Sequence, residues 1–597
     1  MESSENKTFL ALRTNIRLDG DIKLAREEVK SIYQETNDVK TLEDLPQSWK
    51  WALQHIGNNI RMTPPIGFLC DMPKMNIDDI VRKLSFIQEI WFDNANDFKI
   101  DRCWLGQICD GTSKIYYAIP LMATSEILTK MGKHKYQRDF SRLVVHEALN
   151  LINHNSTQKK LRFHGNNIVE NGCTSTPHVH GLHKYKAKFF PRMIRSFINS
   201  VKDSIPNKAD DQLTVLDPFV GSGTTLIESS LLGFPSWGLD IDPLCCLISK
   251  AKIFLLNCPP NIVDVACSTL LTEHSTHSFS VPTGYDKQRY FFPRWIARKF
   301  EQRNDIERMR YYEHEIQLWL NAILRFEDVD LRELFLVCLS DCLTRKFNMR
   351  MMGTGVGRFA LEIIEKPISK MMCENINYLR ICVRVCEEIK RGYGLQLPKA
   401  TVLHGDATKM PFEDDFVELI LTSPPYLPAS SGRENYLMGK SISLTALGLL
   451  TEQEIEKYDG ECMGSMKASN DNTSIEIPDE AYNLVNWLAK DPLRAIKAEP
   501  IRKYYQNLAI ALEDSYRVLK PKGVAIWIIG KESVFYRFKT REILRRVMCD
   551  RIFTQLAENV GFEVVKQVDV QLDKRNKNAR PRSMDAYYEA AIFLVKE

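Results

Sequence analysis

The sequence lacks several features that would place it in a class at once. No uninterrupted apolar stretch approaches the ~18 residues needed to span a bilayer. The N-terminal MESSENKTFLALRTN has neither the basic nor the apolar region of a secretory signal. These absences predict a soluble, intracellular, cytoplasmic chain. The 15 cysteines are odd in number and form no repeated C-x-x-C pairs, which excludes a disulfide scaffold and a zinc ribbon. Cys338/Cys342 and Cys382/Cys386 stand four apart in apolar helical runs, as buried thiols do. Excess charge of one sign is also missing. With 80 basic and 76 acidic residues the net charge is only +4, so a nucleic-acid partner has to be sought in local clusters.

What is present is a long, ordinary globular composition, 44% hydrophobic and 26% charged. At 597 residues the chain is too long for one core, and about two to four domains are expected. Residues 1–165 mix amphipathic helical patterns (DIKLAREEVKSIYQE, NIDDIVRKLSFIQEIWF) with one strand-like piece, SKIYYAIPLM. This region reads as mostly helical, and no chemical motif lies in it. From about residue 210 the texture changes. TVLDPF is a short apolar strand, VGSGTT a glycine-rich turn, LIESSLLG a helix, SWGLDID a second strand and PLCCLISKAKIFLL a second helix. That order is the βαβ rhythm of a parallel doubly wound sheet.

The rhythm stops for a helical, Arg- and Lys-containing insertion over 263–398. It resumes with TVLHGDA and VELILTSPPY. A second stretch, 427–500, is polar and turn-rich. YYQNLAIALEDSYRVL then predicts a helix, VAIWIIG a buried strand, and FEVVKQVDV with YYEAAIFLVK a final antiparallel pair. The fold class expected is α/β. It comprises a Rossmann-like seven-stranded sheet split into 166–262 and 399–597, a large helical insertion and an α-rich N-terminal region.

Four short motifs fall at the carboxyl ends of these strands, where α/β proteins place ligand chemistry. DPFVGSGTT, Asp217 to Thr225, puts Gly221 and Gly223 in a turn that lets backbone N–H groups approach a ligand. It lacks the Lys of a phosphate-cradling P-loop. Asp217 at the strand end suits an ammonium or hydroxyl group. Asp240 and Asp242 close the second strand, where a carboxylate can accept both ribose hydroxyls. Asp406 follows the third strand in HGDA. The fourth strand ends in Thr422, Ser423, Pro424, Pro425 and Tyr426, a small polar residue and an aromatic held on a rigid Pro-Pro turn.

Together these motifs resemble the amino-group DNA methyltransferases that use S-adenosylmethionine. GLHKYKAKFFP upstream resembles the segment those enzymes lay over the cofactor. The resemblance covers roughly 180–260 and 400–597, so that 166–262 becomes the cofactor-binding half and 399–597 the catalytic half. It implies that Gly221 and Gly223 lie under the methionine moiety, with Asp217, Pro218, Phe219 and Thr224 in the same turn. Asp240 would hold the ribose hydroxyls, Asp406 the adenine amino group, and Phe189 would pack on the cofactor. Ser423 and the Pro424 carbonyl would accept hydrogen bonds from the target amine. Pro425 would stiffen the claw, and Tyr426 would stack on a base flipped out of the duplex.

Ser at the first claw position favours cytosine N4, with adenine N6 as the alternative. An RNA base methyltransferase and a catalytically silent DNA-binding subunit are the further rivals. Cytosine-C5 chemistry needs a nucleophilic Cys, usually after Pro, and the chain has no Pro-Cys dipeptide. The partners implied are double-stranded DNA and a cognate restriction endonuclease, with neither membrane nor metal. The helical insertion is a candidate DNA-reading element because some relatives carry target recognition between the cofactor turn and the claw. Phosphate contacts are expected from Lys184, Lys186, Lys188 and Arg192, from Arg345, Lys346, Arg350 and Arg358, and from KRNKNARPR at 574–582. His178, His180 and His183 are close enough to suggest a metal, but they read as structural histidines.

Overall fold

The structure, a computed structural model, describes residues 7–13, 16, 19–33, 35–47, 49–50, 63–71, 77–92, 105–109, 114–136, 177–185, 188–202, 205, 213–276, 291–351, 359–428, 437–466, 475–537, 540, 542–572 and 587–597. Among them no helix is long and apolar enough to cross a membrane. The 574–582 segment, Lys186 and Arg358 lie outside the described residues.

The N-terminal region holds the expected helices, among them Asp19–Lys30 and Leu121–Tyr136, and beside them more strand than the patterns predict. Six strands, β1 (Lys7–Leu12), β2 (Thr36–Val39), β3 (Gly67–Asp71), β4 (Ile87–Phe92), β5 (Leu105–Cys109) and β6 (Lys114–Ala118), form an antiparallel sheet in the order β2-β3-β1-β4-β6-β5. The run NIDDIVRKLSFIQEIWF is not one helix. It is a helix over Ile77–Lys83 followed by the buried strand β4. The break is held by Glu28, whose buried carboxylate accepts the Ser85 hydroxyl (2.7 Å) and the Ser85 amide (2.9 Å). Short apolar runs such as KTFLAL and IQEIWF fit either period, and burial on both faces removes the alternation that marks a strand.

The second sheet has the predicted seven strands: β7 (Val215–Asp217), β8 (Ser236–Asp240), β11 (Ala400–His404), β12 (Val417–Thr422), β13 (Leu519–Gly530), β16 (Phe562–Leu572) and β17 (Tyr587–Lys596). Between β8 and β11 the chain makes a small hairpin, β9 (Phe347–Met351) and β10 (Phe359–Ile363). Between β13 and β16 it makes another, β14 (Glu532–Tyr536) and β15 (Ile543–Met548), which the sequence patterns did not reveal. The sheet order is β11-β8-β7-β12-β13-β17-β16. Pairing is parallel from β11 to β13 and antiparallel on both sides of β17, so β17 alone is reversed. The order turns around between β7 and β12, and that switch point opens a crevice at their carboxyl ends.

The helical insertion begins one turn earlier than expected, at Pro260–Thr276, and continues through Arg294–Glu301, Ile306–Ile323, Val329–Lys346 and Ile368–Tyr393. It is packed into the main core by Leu334, Val337, Leu379 and Val383 rather than hung on its surface. The 427–500 stretch, polar and turn-rich in sequence, contains helices at Ser441–Ala446, Glu452–Glu461 and Asp479–Ala489. Its polar composition hid them because each is short and buries only a few apolar residues.

Several cations expected at phosphates are held inside the protein instead. Lys346 is buried and donates to the Ile364 (3.0 Å) and Lys366 (2.8 Å) carbonyls. Arg345 pairs with Asp341 (2.7 Å). Arg192 pairs with Glu126 (3.0 Å), which also receives the buried Arg13 (2.6 Å). Lys188 donates to the His180 and His183 carbonyls. Lys184 remains exposed.

The three histidines are packed inside the fold. His180 Nε2 meets Glu228 (2.7 Å), His183 Nε2 meets the Ser340 hydroxyl (3.0 Å), and all three rings are buried, which holds their pKa values below the ordinary histidine range. Glu228 also receives buried Arg195 (2.7 Å). Removing one partner of a buried ion pair leaves an uncompensated charge, at a cost of about 3–5 kcal/mol. Glu228→Ala is therefore expected to lower the urea midpoint strongly, with Glu228→Gln in between. Equal midpoints for all three proteins would show that the cluster does not hold the helices together.

Candidate active site

The site is assembled at the β7/β12 switch point. Asp217, the last residue of β7, is buried. Its Oδ1 accepts the Thr422 hydroxyl (2.6 Å) from the end of β12 and the Phe219 amide (3.1 Å) from its own turn. Burial pushes the carboxyl up to about 6, and the Thr422 hydroxyl opposes the rise. Asp217 thus braces the glycine turn against the claw strand. The sequence motif placed it beside a ligand but gave no sign of this brace. Thr422 was legible only as the residue before the claw.

The turn that follows is fixed from three sides. Gly221 N–H donates to Asp240 Oδ2 (2.8 Å), Ser249 Oγ donates to the Gly221 carbonyl (3.1 Å), and buried Lys252 Nζ donates to the Ser222 carbonyl (2.6 Å). Both carbonyls are thereby drawn toward the helix Pro243–Asn257 behind the turn. Gly221 (φ +50°) and Gly223 (φ +74°) adopt left-handed backbone that side chains resist. A Cβ on Gly223 would also stand 2.9 Å from Ser249 Oγ and 3.2 Å from its Cα. Thr224 opens the helix Thr224–Leu231 with its Oγ1 buried and without a hydrogen-bond partner among the described residues. Pro218 and Phe219 complete the turn, and Phe219 meets Trp527 of β13 edge-on at 6.0 Å.

Asp240 ends β8. Its Oδ1 accepts the Asp242 amide (2.9 Å), so both carboxylate oxygens fasten backbone while their remaining lone pairs stay available. Burial and neighbouring Asp242 push it up to about 6. Asp242 caps the next helix by accepting the Leu244 amide (2.9 Å) and pairs with Lys440 (2.6 Å). Asp406, past β11, is exposed, and its Oδ1 accepts the Thr408 amide (2.9 Å). The two strand ends are joined where the Gly405 amide donates to the Asp240 carbonyl (3.0 Å). Phe189 is half-buried against the main core, just before the helix Pro191–Val201. Tyr185 of the same segment lies over Gly221, its hydroxyl 3.4 Å from where a Cβ would be.

At the claw, Pro424 is buried while Ser423, Pro425 and Tyr426 are half-buried. The Tyr426 hydroxyl donates to Glu589 of β17, and its ring passes 3.8 Å from the Cβ position of Gly530. Because β17 is reversed, its first residues reach the same sheet edge as the ends of the parallel strands. Glu589 was missed, although an acid opening the apolar run YYEAAIFLVK is the signal that marks it. Tyr185, Ser249, Lys252 and Lys440 were missed as well, and Lys440 carries no sequence signal at all.

A tight turn that admits no Cβ, an unpartnered hydroxyl at a helix N-terminus, and carboxylates closing β8 and β11 form a continuous rim. This donor and acceptor set fits a nucleoside joined to an amino-acid head, as in S-adenosylmethionine.

No protein-family model matches the chain. The Type II methyltransferase M.MvaI of Kocuria varians is 24% identical over 385 residues, spanning 60% of this chain and 77% of that protein. The Type II methyltransferase M.BsoBI of Geobacillus stearothermophilus is 22% identical over 482 residues, 71% of this chain and 86% of that protein. M.MjaII of Methanocaldococcus jannaschii, also a Type II methyltransferase, is 42% identical over 81 residues, 13% of each chain. Among solved structures, the rRNA methyltransferase aviRa from Streptomyces viridochromogenes aligns with a TM-score of 0.25 at 12% identity, over 69% of this chain and 88% of its own. In its motifs, in its sheet order with the reversed last strand and in its sequence relatives, the chain is similar to the S-adenosylmethionine-dependent amino-group DNA methyltransferases.

Proposed function

We propose that the chain methylates the exocyclic N4 amine of cytosine in a short specific duplex-DNA site, in the setting of a restriction–modification or related defence system. The observation that supports this reading is the brace between Asp217, at the start of the glycine turn, and Thr422, the residue before Ser423 and Pro424. Ser at the first claw position supports cytosine over adenine.

An exocyclic amine is a poor nucleophile because its lone pair is delocalised into the ring. Its N–H groups would donate to Ser423 Oγ and the Pro424 carbonyl, which localises the lone pair and aims it. The prolines hold these acceptors in place before the base arrives, so catalysis is by positioning and electrostatics. When bound, S-adenosylmethionine supplies a methyl group on a sulfonium, whose C–S electron pair returns to sulfur as the new N–C bond forms. The surplus amine proton leaves through the same acceptors to water. Tyr426, held upright by Glu589, offers its ring to the flipped base. Toward the cofactor, Gly221, Gly223 and Thr224 would face the methionine end. Asp240 would accept the ribose hydroxyls, Asp406 the adenine amine, and Phe189 would pack on the nucleoside. Asp217 would act by orienting the turn.

The first test is to incubate the protein with labelled S-adenosylmethionine and, in parallel, with mixed duplex DNA or RNA, then identify the modified nucleoside by mass spectrometry. N4-methylcytosine is the expected product. N6-methyladenine would overturn the choice of base, and labelled RNA with unlabelled DNA would overturn the substrate. Ser423→Ala is expected to reduce transfer by about 10²-fold or more while cofactor affinity stays within about twofold, the pattern of a group that acts on positioning. Asp240→Ala is expected to weaken cofactor binding measured calorimetrically by about tenfold or more, the scale of a lost charged hydrogen bond. Unchanged affinity would displace the ribose assignment.

A further inference from the structure

The second insertion reaches the end of β8 through a single side chain. Lys440 closes the short 3₁₀ turn Met438–Lys440, and its side chain is 17% exposed. Its ammonium donates to Asp242 Oδ2 (2.6 Å), Cys245 Sγ (3.2 Å) and Tyr185 OH (3.4 Å), and stands 4.6 Å from the centre of the Tyr185 ring. The backbone that presents it is anchored on both sides. Leu437, Ile442 and Leu444 are buried, the Ser443 hydroxyl bonds the Ser340 carbonyl (3.5 Å), and the Thr445 hydroxyl bonds the Phe291 carbonyl (2.8 Å).

Two carboxylates, Asp240 and Asp242, lie two residues apart at this strand end. Asp217 from β7 adds a third charge to the same field. Cys245, Cys246, Tyr185 and, from the second insertion, Cys462 also face Asp240, and burial raises their pKa values, so they stay neutral. Among the described residues, the cation set against Asp240 and Asp242 is Lys440. Adjacent carboxylates in a partly dry site cannot both stay ionised without such a counter-charge.

We propose that Lys440 is a positioning residue for the cofactor: by holding Asp242 it balances the acid pair and keeps Asp240 ionised to accept ribose hydroxyls. The inference rests on the cofactor reading above and adds that the second insertion takes part in cofactor binding. Burial and Asp242 already push the Asp240 carboxyl up to about 6, and Lys440 opposes the rise, so loss of the Lys440 charge would carry Asp240 further toward its neutral form. Binding that needs the carboxylate is complete above that value and is lost as pH falls through it.

The test is a calorimetric titration of S-adenosylhomocysteine into the full chain at pH values on both sides of that midpoint. For Lys440→Met the midpoint is expected to rise by about one pH unit, so that affinity on the acid side drops about tenfold, and Lys440→Arg restores it. Asp242→Asn removes the repelling carboxylate while its amide oxygen still caps the helix. It is expected to lower the midpoint, and it carries the test if Lys440→Met does not fold. A midpoint unchanged in Lys440→Met, even with weaker binding, would overturn the proposal. So would a midpoint unmoved or raised in Asp242→Asn. Unchanged affinity in Asp240→Ala would remove the ribose assignment and this inference together. Weaker binding in Asp240→Ala with an unmoved midpoint in Lys440→Met would overturn the role of Lys440 alone.

Discussion

The hydrogen bond from Thr422 to the buried carboxylate of Asp217 is the constraint on which the site depends. It spans the switch point of the sheet and joins the strand that carries the claw to the strand that carries the glycine turn. Methyl transfer tolerates little error in this relation, because a misplacement of about 1 Å can cost about 10²-fold in rate. Parallel pairing of β12 with β7 sets the two strand ends side by side. The brace then fixes their last residues, where ladder hydrogen bonds no longer reach. Thr225, from the helix after the turn, adds a second link by donating to the Leu421 carbonyl (3.4 Å).

Around this junction the insertions act as walls rather than appendages. The His178–Gly181 turn is the point where several of them meet. The Thr129 hydroxyl from the N-terminal region accepts the His178 amide (2.8 Å), the Tyr378 hydroxyl donates to the His178 carbonyl (2.7 Å), and His180 reaches Glu228 behind the glycine turn. The GLHKYKAKFFP segment begins in this turn. Its placement over Gly221 by Tyr185 is therefore supported by helices from three regions of the chain. The same packing explains why so many basic residues face inward. Lys346, Lys188, Arg192 and Arg195 serve carbonyls and carboxylates at these seams.

The motifs that depend on local backbone chemistry are legible in the sequence alone. Glycines at 221 and 223, acids at strand ends and the Pro-Pro claw each state a conformational requirement in a few adjacent residues. The βαβ rhythm and the final antiparallel pair are legible for the same reason, since apolar strands bounded by turn residues leave a short-range pattern. Of the N-terminal sheet only β6, in SKIYYAIPLM, is legible. Strands buried on both faces lose their alternation, and Glu28, which breaks the run at Ser85, lies 57 residues away in sequence. The short helix Ser441–Ala446 of the second insertion escapes notice because its anchors, Ser340 and Phe291, lie far along the chain.

By itself, then, the sequence determined the α/β class and the seven strands of the second sheet, and it marked the glycine turn, the strand-end acids and the Pro-Pro segment as local patterns. Each follows from a requirement that nearby residues must satisfy: a left-handed turn, a strand end, a rigid acceptor. Only the tertiary structure decided which charges serve the site and which hold the fold. It also decided that Asp217 braces Thr422, that Glu589 holds Tyr426, and that Lys440 comes from a distant insertion to the end of β8. The physical reason is that a charge or hydroxyl takes its role from its partner. Here the partners lie 205, 163 and 198 positions apart, beyond any local pattern.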